Sequence, residues 1–145
     1  RYSYFGMISG GIGWGIAAAV GVQLAQPDRP VVAILGDGSS LYSPQPLWSA
    51  AHLNLSIIFV MLNNRGYRIL KERLIAFHDD DRFIGMDFDA PAIDLAGLSR
   101  SLGVEAETVT NPKDFEQALN TALTDSRPRL IVVMVEPVPQ RPGKN

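Results

Sequence analysis

The stretch Val31-Val32-Ala33-Ile34-Leu35-Gly36-Asp37-Gly38-Ser39-Ser40 decides the fold of this chain. Its first five residues are all apolar, which indicates a strand that is buried on both faces, as in a parallel sheet. A second apolar run covers residues 56–62, and another polar turn, Asn63-Asn64-Arg65-Gly66-Tyr67, follows it. Ligands of α/β proteins bind beyond the carboxyl ends of parallel strands. The two turns are therefore the first places to look for a functional site.

Helical and strand patterns alternate along the rest of the chain. The patterns predict helices at about 13–26, 44–53, 67–77, 93–102 and 112–124, strands at 31–35, 56–62, 104–109 and 130–135, and an acidic loop from 78 to 91. This alternation predicts an α/β fold in which a parallel sheet carries helices on both faces. We assign residues 1–136 to one domain and residues 137–145 to a Pro-rich C-terminal tail.

Composition excludes several classes of protein. The chain has 145 residues, 46% of them hydrophobic, which is enough for one domain with a core. Thirteen basic and 15 acidic residues give a net charge of −2, which argues against a nucleic-acid binder built on a basic face. The longest apolar stretch, residues 8–23, contains five glycines and resembles neither a membrane span nor a signal peptide. The absence of cysteine excludes a disulfide framework and fits the cytoplasmic location that we expect.

The residues at the two strand ends suit a metal ion and an anion. Neighbouring parallel strands would bring the Asp37 carboxylate and the Asn64 carboxamide together with backbone carbonyls, and these hard oxygen ligands are typical of Mg²⁺ or Ca²⁺. The amides of Gly38, Ser39 and Ser40 lead towards a helix N-terminus, which favours an anion. A cation beside an anion-binding turn indicates a diphosphate that is bridged through Mg²⁺.

The spacing of the two turns resembles a known signature. A Gly-Asp-Gly turn, 24 intervening residues and then Asn-Asn resemble the thiamin diphosphate motif of the 2-keto acid decarboxylase and acetolactate synthase superfamily. The resemblance extends over nearly the whole chain and includes the segments at residues 10–13, 17–21, 36–39 and 47–51. Residues 21–25 and 42–43 resemble the benzoylformate decarboxylase branch most closely. The resemblance implies the diphosphate-binding domain of such an enzyme.

The resemblance also implies a role for each site residue. Asp37 and Asn64 would bind Mg²⁺ through their side chains, and Gly66 would bind it through its backbone carbonyl. Gly38, Ser39 and Tyr42 would hold the diphosphate oxygens. Ile12 would support the bent cofactor as an apolar wedge. The Gly10 carbonyl would accept from the exocyclic amine of the aminopyrimidine, and the Ile12 amide would donate to its ring nitrogen.

A 2-keto acid substrate follows from the same resemblance, with decarboxylation or acyl or aldehyde transfer as the reaction. Arg68 or Arg73 could meet an anionic group of the substrate. Benzoylformate decarboxylases carry an aromatic residue at the position of Arg73, so an aromatic substrate is in doubt. In the family a glutamate on a separate pyrimidine-binding domain activates the cofactor, and this chain offers no candidate for it. We therefore expect a homo-oligomer whose 145-residue chain shows no turnover without that domain.

Other interpretations of the sequence remain open at this point. Gly13-Trp14-Gly15-Ile16-Ala17-Ala18 fits the G-x-G-x-x-A pattern of a nicotinamide-binding Rossmann domain, but a strand should precede these glycines. Within the thiamin diphosphate superfamily, the chain could also belong to an acetolactate synthase-like carboligase or form a separate small subunit. We expect Trp14 and Trp48 to be core residues and His52 to be a partly buried structural histidine.

Overall fold

One four-stranded sheet forms the centre of the part of the chain that the structure describes. The computed structural model describes residues 3–7 and 10–137. The strands are β1 (Val31–Gly36), β2 (Ile57–Asn63), β3 (Glu105–Val109) and β4 (Arg129–Met134). They lie in the order β1-β2-β4-β3, and every neighbouring pair is parallel. The structure thus confirms the parallel sheet predicted from the apolar runs.

Within the described residues, six helices connect or flank these strands. They are α1 (Trp14–Ala25), α2 (Asp37–Ser40), α3 (Pro46–His52), α4 (Arg68–His78), α5 (Leu95–Ser101) and α6 (Pro112–Thr124). The Asn111 side chain accepts from Asp114 N and begins α6, as predicted. Asp94 caps α5 in the same way by accepting from Gly97 N, so this helix begins two residues later than its apolar pattern indicates. The last two residues of the Gly-Asp-Gly turn, together with Ser39 and Ser40, form the single helical turn of α2.

The sheet has a hydrophobic core on each face. On one face, α1, α3 and α5 pack against side chains of β2 and β4, with Phe59 fully buried at the centre. On the other face, Ala118 and Ala122 of α6 pack against Ile58 and Val60. Helices therefore cover both faces of the sheet, as predicted, and hold the ends of the strands in place.

Strand β1 is less covered than its apolar sequence indicates. Val32 and Ile34 lie on the α6 side of the sheet but remain 46% and 71% exposed, because α6 packs over β2, β3 and β4. A groove of about 630 Å³ runs along β1 between α1 and residues 3–7. Tyr4, Phe5 and Met7 in that segment are exposed apolar side chains, and the neighbouring Tyr2 lies outside the described residues.

The predicted burial of the two tryptophans and the predicted partial burial of His52 are both wrong. Trp14 and Trp48 are about half exposed, because α1 and α3 turn other side chains, such as Ile16 and Leu47, towards the sheet. His52 is exposed as well, and its ring stacks on Trp48 with centroids 4.8 Å apart and planes at 7°. This aromatic pair belongs to the outer surface of α3.

The described ranges contain no helix that is both long and apolar enough to span a membrane. Of the predicted C-terminal tail, residues 138–145 lie outside the described residues.

Phe59 and Ile34 test how the sheet is stabilised. Phe59→Ala should lower the free energy of unfolding by about 3–5 kcal/mol, because the truncation leaves a cavity between α1, α3 and the sheet. Ile34→Ala removes an exposed side chain of the neighbouring strand and should change that free energy by no more than about 0.5 kcal/mol. Urea unfolding of both variants measures the difference, and similar losses would contradict the described burial.

Candidate functional site

The two polar turns meet at one edge of the sheet. β1 and β2 pair with Gly36 opposite Leu62, so the residues that follow these positions emerge side by side. Asp37 is only 2% exposed there. Its Oδ2 accepts a hydrogen bond from Gly66 N at 3.1 Å, and its Oδ1 accepts one from Gly38 N at 2.8 Å. The carboxylate therefore connects the Gly-Asp-Gly turn to the turn after β2.

Burial makes the ionised form of Asp37 costly. Desolvation raises the pKa of this carboxyl above its ordinary value, and the amides of Gly38 and of residues 64–66 oppose the shift. Of these amides, Gly38 N and Gly66 N form hydrogen bonds to the carboxylate at 2.8 and 3.1 Å. A carboxylate has about four lone-pair sites, so these two bonds leave room for a further partner. A cation at this carboxylate would offset the desolvation.

The two asparagines after β2 have different surroundings. Asn63 Oδ1 accepts from Arg65 N at 3.0 Å, which closes a local turn in which Arg65 takes a left-handed backbone conformation with φ of 60°. Asn64 Oδ1, in contrast, is buried without a hydrogen-bond partner in the described part of the chain. Buried acceptors normally have a partner. The unpartnered oxygen and the Asp37 carboxylate together provide hard donors that fit Mg²⁺.

Residues 83–88, which we call the covering segment, lie against the second turn. Tyr67 N donates to Met86 O and Phe88 N donates to Arg65 O, both at 2.9 Å, as in a short antiparallel pair. A Cβ atom added at Gly66 would lie 2.3 Å from Met86 O, so only glycine permits this approach. The sequence analysis placed these residues in a solvated acidic loop, and no periodic pattern in them indicates the pairing.

Ser39 and Tyr42 lie on the other side of Asp37. Ser39 Oγ accepts from Gly13 N at 3.2 Å, which joins the start of α1 to the Gly-Asp-Gly turn. A hydroxyl can accept and donate at once, so Ser39 can also bind an anion. Tyr42 is 61% exposed, and its ring lies edge-on to Tyr67 with centroids 6.4 Å apart. Burial and the neighbouring Tyr42 raise the pKa of Tyr67, which the sequence analysis did not identify.

The residues predicted to contact the aminopyrimidine lie in the segment that leads into α1. Gly10 has φ of 71°, a conformation that glycine adopts readily, and both Gly10 and Ile12 are exposed. Ile12 immediately precedes Gly13, whose amide contacts Ser39, so its backbone lies beside the Gly-Asp-Gly turn. Residues 8 and 9 lie outside the described residues.

The two arginines proposed for substrate binding already have partners within α4. Arg68 Nε donates to Glu72 Oε1 at 2.8 Å, and the Arg73 guanidinium lies 5.5 Å from the centroid of the Phe77 ring. Neither contact brings an arginine to Asp37.

The nicotinamide interpretation lacks its strand. The described residues before Gly13, which are 3–7 and 10–12, form no strand. A Rossmann glycine loop would require one there.

Comparison with known proteins identifies related sequences and structures. A family model described as the thiamine pyrophosphate enzyme, C-terminal TPP binding domain, matches residues 2–133. Benzoylformate decarboxylase from Pseudomonas aeruginosa is 39% identical over 136 residues, which make up 94% of this chain and 25% of that protein. An acetolactate synthase large subunit from Parasynechococcus marenigrum is 34% identical over 126 residues, covering 87% of this chain and 20% of that one.

A solved structure shows the same fold. The thiamine diphosphate-dependent 4-hydroxybenzoylformate decarboxylase of Rhodococcus jostii superimposes with a TM-score of 0.83 at 38% identity, covering 89% of this chain and 24% of that chain. The chain spans about a quarter of the length of the curated relatives it matches. The comparisons confirm the superfamily that was predicted from the two turns.

Two glycines test whether the Gly-Asp-Gly turn is as close-packed as described. A Cβ at Gly38 would lie 2.7 Å from the Tyr67 ring, whereas a Cβ at the exposed helical Gly21 would meet nothing within 4 Å. Gly38→Ala should therefore lower the free energy of unfolding by about 1–3 kcal/mol. Gly21→Ala should raise it by about 0.5–1 kcal/mol, because alanine favours the helix. Denaturant titration gives both values, and stabilisation by Gly38→Ala would contradict the packing.

Proposed function

Because the chain belongs to the thiamine pyrophosphate enzyme family as its C-terminal TPP-binding domain, we propose that its Asp37 edge binds Mg²⁺ and the diphosphate of thiamin diphosphate. One observation carries the proposal: the buried Asp37 carboxylate contacts the same turn in which Asn64 Oδ1 is buried without a partner. Two desolvated oxygens at one sheet edge are costly without a cation and favourable with one.

Three groups supply the proposed metal ligands. Asp37 contributes the charged oxygen, Asn64 the neutral carboxamide oxygen, and Gly66 its backbone carbonyl. The Gly66 amide, which donates to Asp37 Oδ2, holds the two turns together. Such a mixed oxygen set suits Mg²⁺, which keeps its remaining positions for water and phosphate oxygens.

The remaining site residues would hold the organic parts of the cofactor. Ser39 and Tyr42 offer hydroxyls to the diphosphate, and Gly38 offers its amide, which in this structure donates to Asp37 Oδ1. The Gly10 carbonyl and the Ile12 amide would orient the aminopyrimidine, and the exposed Ile12 side chain would support the bend of the cofactor. When bound, the thiazolium supplies the carbanion and the electron sink, while this chain supplies position and charge.

The wider activity of the protein forms part of the same proposal. We propose that the protein acts on a 2-keto acid, by decarboxylation or by transfer of an acyl or aldehyde unit. Relatives named as a decarboxylase and as a synthase both match this chain. We further propose a cytoplasmic homo-oligomer in which residues 1–136 bind the diphosphate and a pyrimidine-binding domain completes the active site. The exposed Tyr4, Phe5 and Met7 offer that domain an apolar surface.

Two aspartates at opposite ends of β1 test the metal assignment. Wild-type protein with Mg²⁺ and thiamin diphosphate at about 100 times the dissociation constant should gain about 2.7 kcal/mol of stability. Asp37→Ala should weaken binding by more than about tenfold, or ~1.4 kcal/mol, because it removes the charged ligand. Asp28→Ala removes an exposed aspartate just before β1 and should leave binding unchanged.

Calorimetric titration of the two variants and the wild type measures these affinities. Wild-type affinity in both Asp37→Ala and Asp28→Ala would disprove the metal assignment. Equal loss in both variants would show that net charge, rather than ligation, controls binding.

A further inference from the structure

Helix α4 buries a lysine and exposes its apolar side chains. Lys71 is 7% exposed and is the buried residue of this helix, which the structure describes in full, whereas Ile69 and Phe77 are 59% and 68% exposed. An ammonium group normally stays in water, and a buried one needs compensating partners. The inverted pattern requires an explanation beyond core packing.

The Lys71 ammonium lies close to two segments, the covering segment and the turn after β2. Asp87 forms an ion pair with it, and the Phe83 ring lies under it at 5.3 Å from Nζ to the ring centroid. Both residues belong to the covering segment. On its other side, Nζ lies 3.4 Å from the position that a Cβ of Gly66 would take. The cation thus fills the space between the covering segment and the turn after β2.

This contact acts on the same backbone that carries the proposed metal ligands. The covering segment bonds to the turn on both sides of Gly66, through Tyr67 N to Met86 O and Phe88 N to Arg65 O. The Tyr67 and Phe88 rings add an edge-on contact with centroids 4.9 Å apart. Within the described part of the chain, α4 packs extensively against no other helix or strand. The ion pair is therefore a main link between α4, the covering segment and the turn.

We propose that Lys71 and Asp87 are positioning residues for the metal-binding turn. Their ion pair holds the covering segment against residues 65–67, at the depth where Gly66 N reaches Asp37 Oδ2 and Asn64 Oδ1 stays buried. This inference rests on the proposed function, since it assigns the pair a role in binding Mg²⁺. Groups that orient metal ligands without touching the metal typically change affinity by about 10–100-fold when they are removed.

Four variants separate positioning from general stability. Lys71→Met keeps the length and the apolar stem of the side chain but removes the charge, and Asp87→Asn removes the other half of the pair. Lys71→Arg restores a cation. Val109→Ala weakens the core on the α6 side of the sheet, away from the site, and serves as the control for stability. Calorimetric titration with Mg²⁺ at saturating thiamin diphosphate, below the unfolding temperature of every variant, gives the affinities.

A second readout needs no cofactor. Amide hydrogen exchange in the metal-free protein reports the bonds from Tyr67 N to Met86 O and from Phe88 N to Arg65 O directly. Lys71→Met and Asp87→Asn should speed exchange at these two amides. Exchange in the centre of β2 should remain slow in both variants.

The proposal expects Lys71→Met and Asp87→Asn to weaken Mg²⁺ binding by about tenfold or more. Lys71→Arg should restore most of the affinity, and Val109→Ala should bind like the wild type. Wild-type affinity and exchange in Lys71→Met and Asp87→Asn would overturn the proposal while leaving the proposed function intact. A wild-type protein that binds no Mg²⁺ would instead overturn the proposed function, and the positioning role with it. Should Lys71→Met not fold, the partly exposed Asp87→Asn makes the same comparison.

Discussion

The carboxylate of Asp37 is buried at the point where β1 ends, and amides from two separate turns donate to it. Taking that charge out of water is unfavourable, and the raised pKa of the group reflects this cost. The fold imposes this cost, because the parallel pairing of β1 with β2 fixes the positions of the two turns. The rest of the site is arranged around this constraint: Asn64 brings a second desolvated oxygen, and Gly38 and Gly66 leave room for close contacts.

Stability and function oppose each other at this edge of the sheet. A hydrophobic residue in place of Asp37 would avoid the desolvation, and an apolar residue in place of Asn64 would avoid an unpartnered buried oxygen. The sequence nevertheless keeps both polar groups, as the proposed cation site requires. The two cores on either face of the sheet supply the stability that this arrangement needs.

Much of this architecture could be predicted from local patterns. The apolar runs at β1 and β2 predicted parallel strands, and the polar residues after them predicted the meeting of Asp37 with the second turn. The pattern overestimated the burial of Val32 and Ile34, because an apolar run does not say how far α6 extends across the sheet. The burial of Trp48 and His52 was overestimated for a related reason. Helical spacing identifies the apolar face of a helix, but it does not show which residues at the border of that face point outwards.

The covering segment could not be predicted, because its contact with the turn depends on backbone bonds and on one buried cation. The acidic residues 79–81, just before the covering segment, indicate a solvated loop, yet Met86 and Phe88 pair with the backbone around Gly66. In the sequence, Lys71 does not differ from the exposed charged residues of α4. Its contacts with Asp87 and Phe83 are visible in the structure alone. Interactions of this kind are non-local, so sequence periodicity carries no signal for them.

The most direct test of the central idea uses Mn²⁺, which prefers the same oxygen ligands as Mg²⁺, together with thiamin diphosphate. The unpaired electrons of Mn²⁺ broaden the NMR signals of nearby amides, so the broadened signals show where the ion binds. Broadening centred on the amides of Gly38, Arg65 and Gly66 is the result that joint coordination by Asp37 and Asn64 predicts. Broadening centred on the acidic residues 79–81, with the Gly38 and Gly66 signals unchanged, would contradict it.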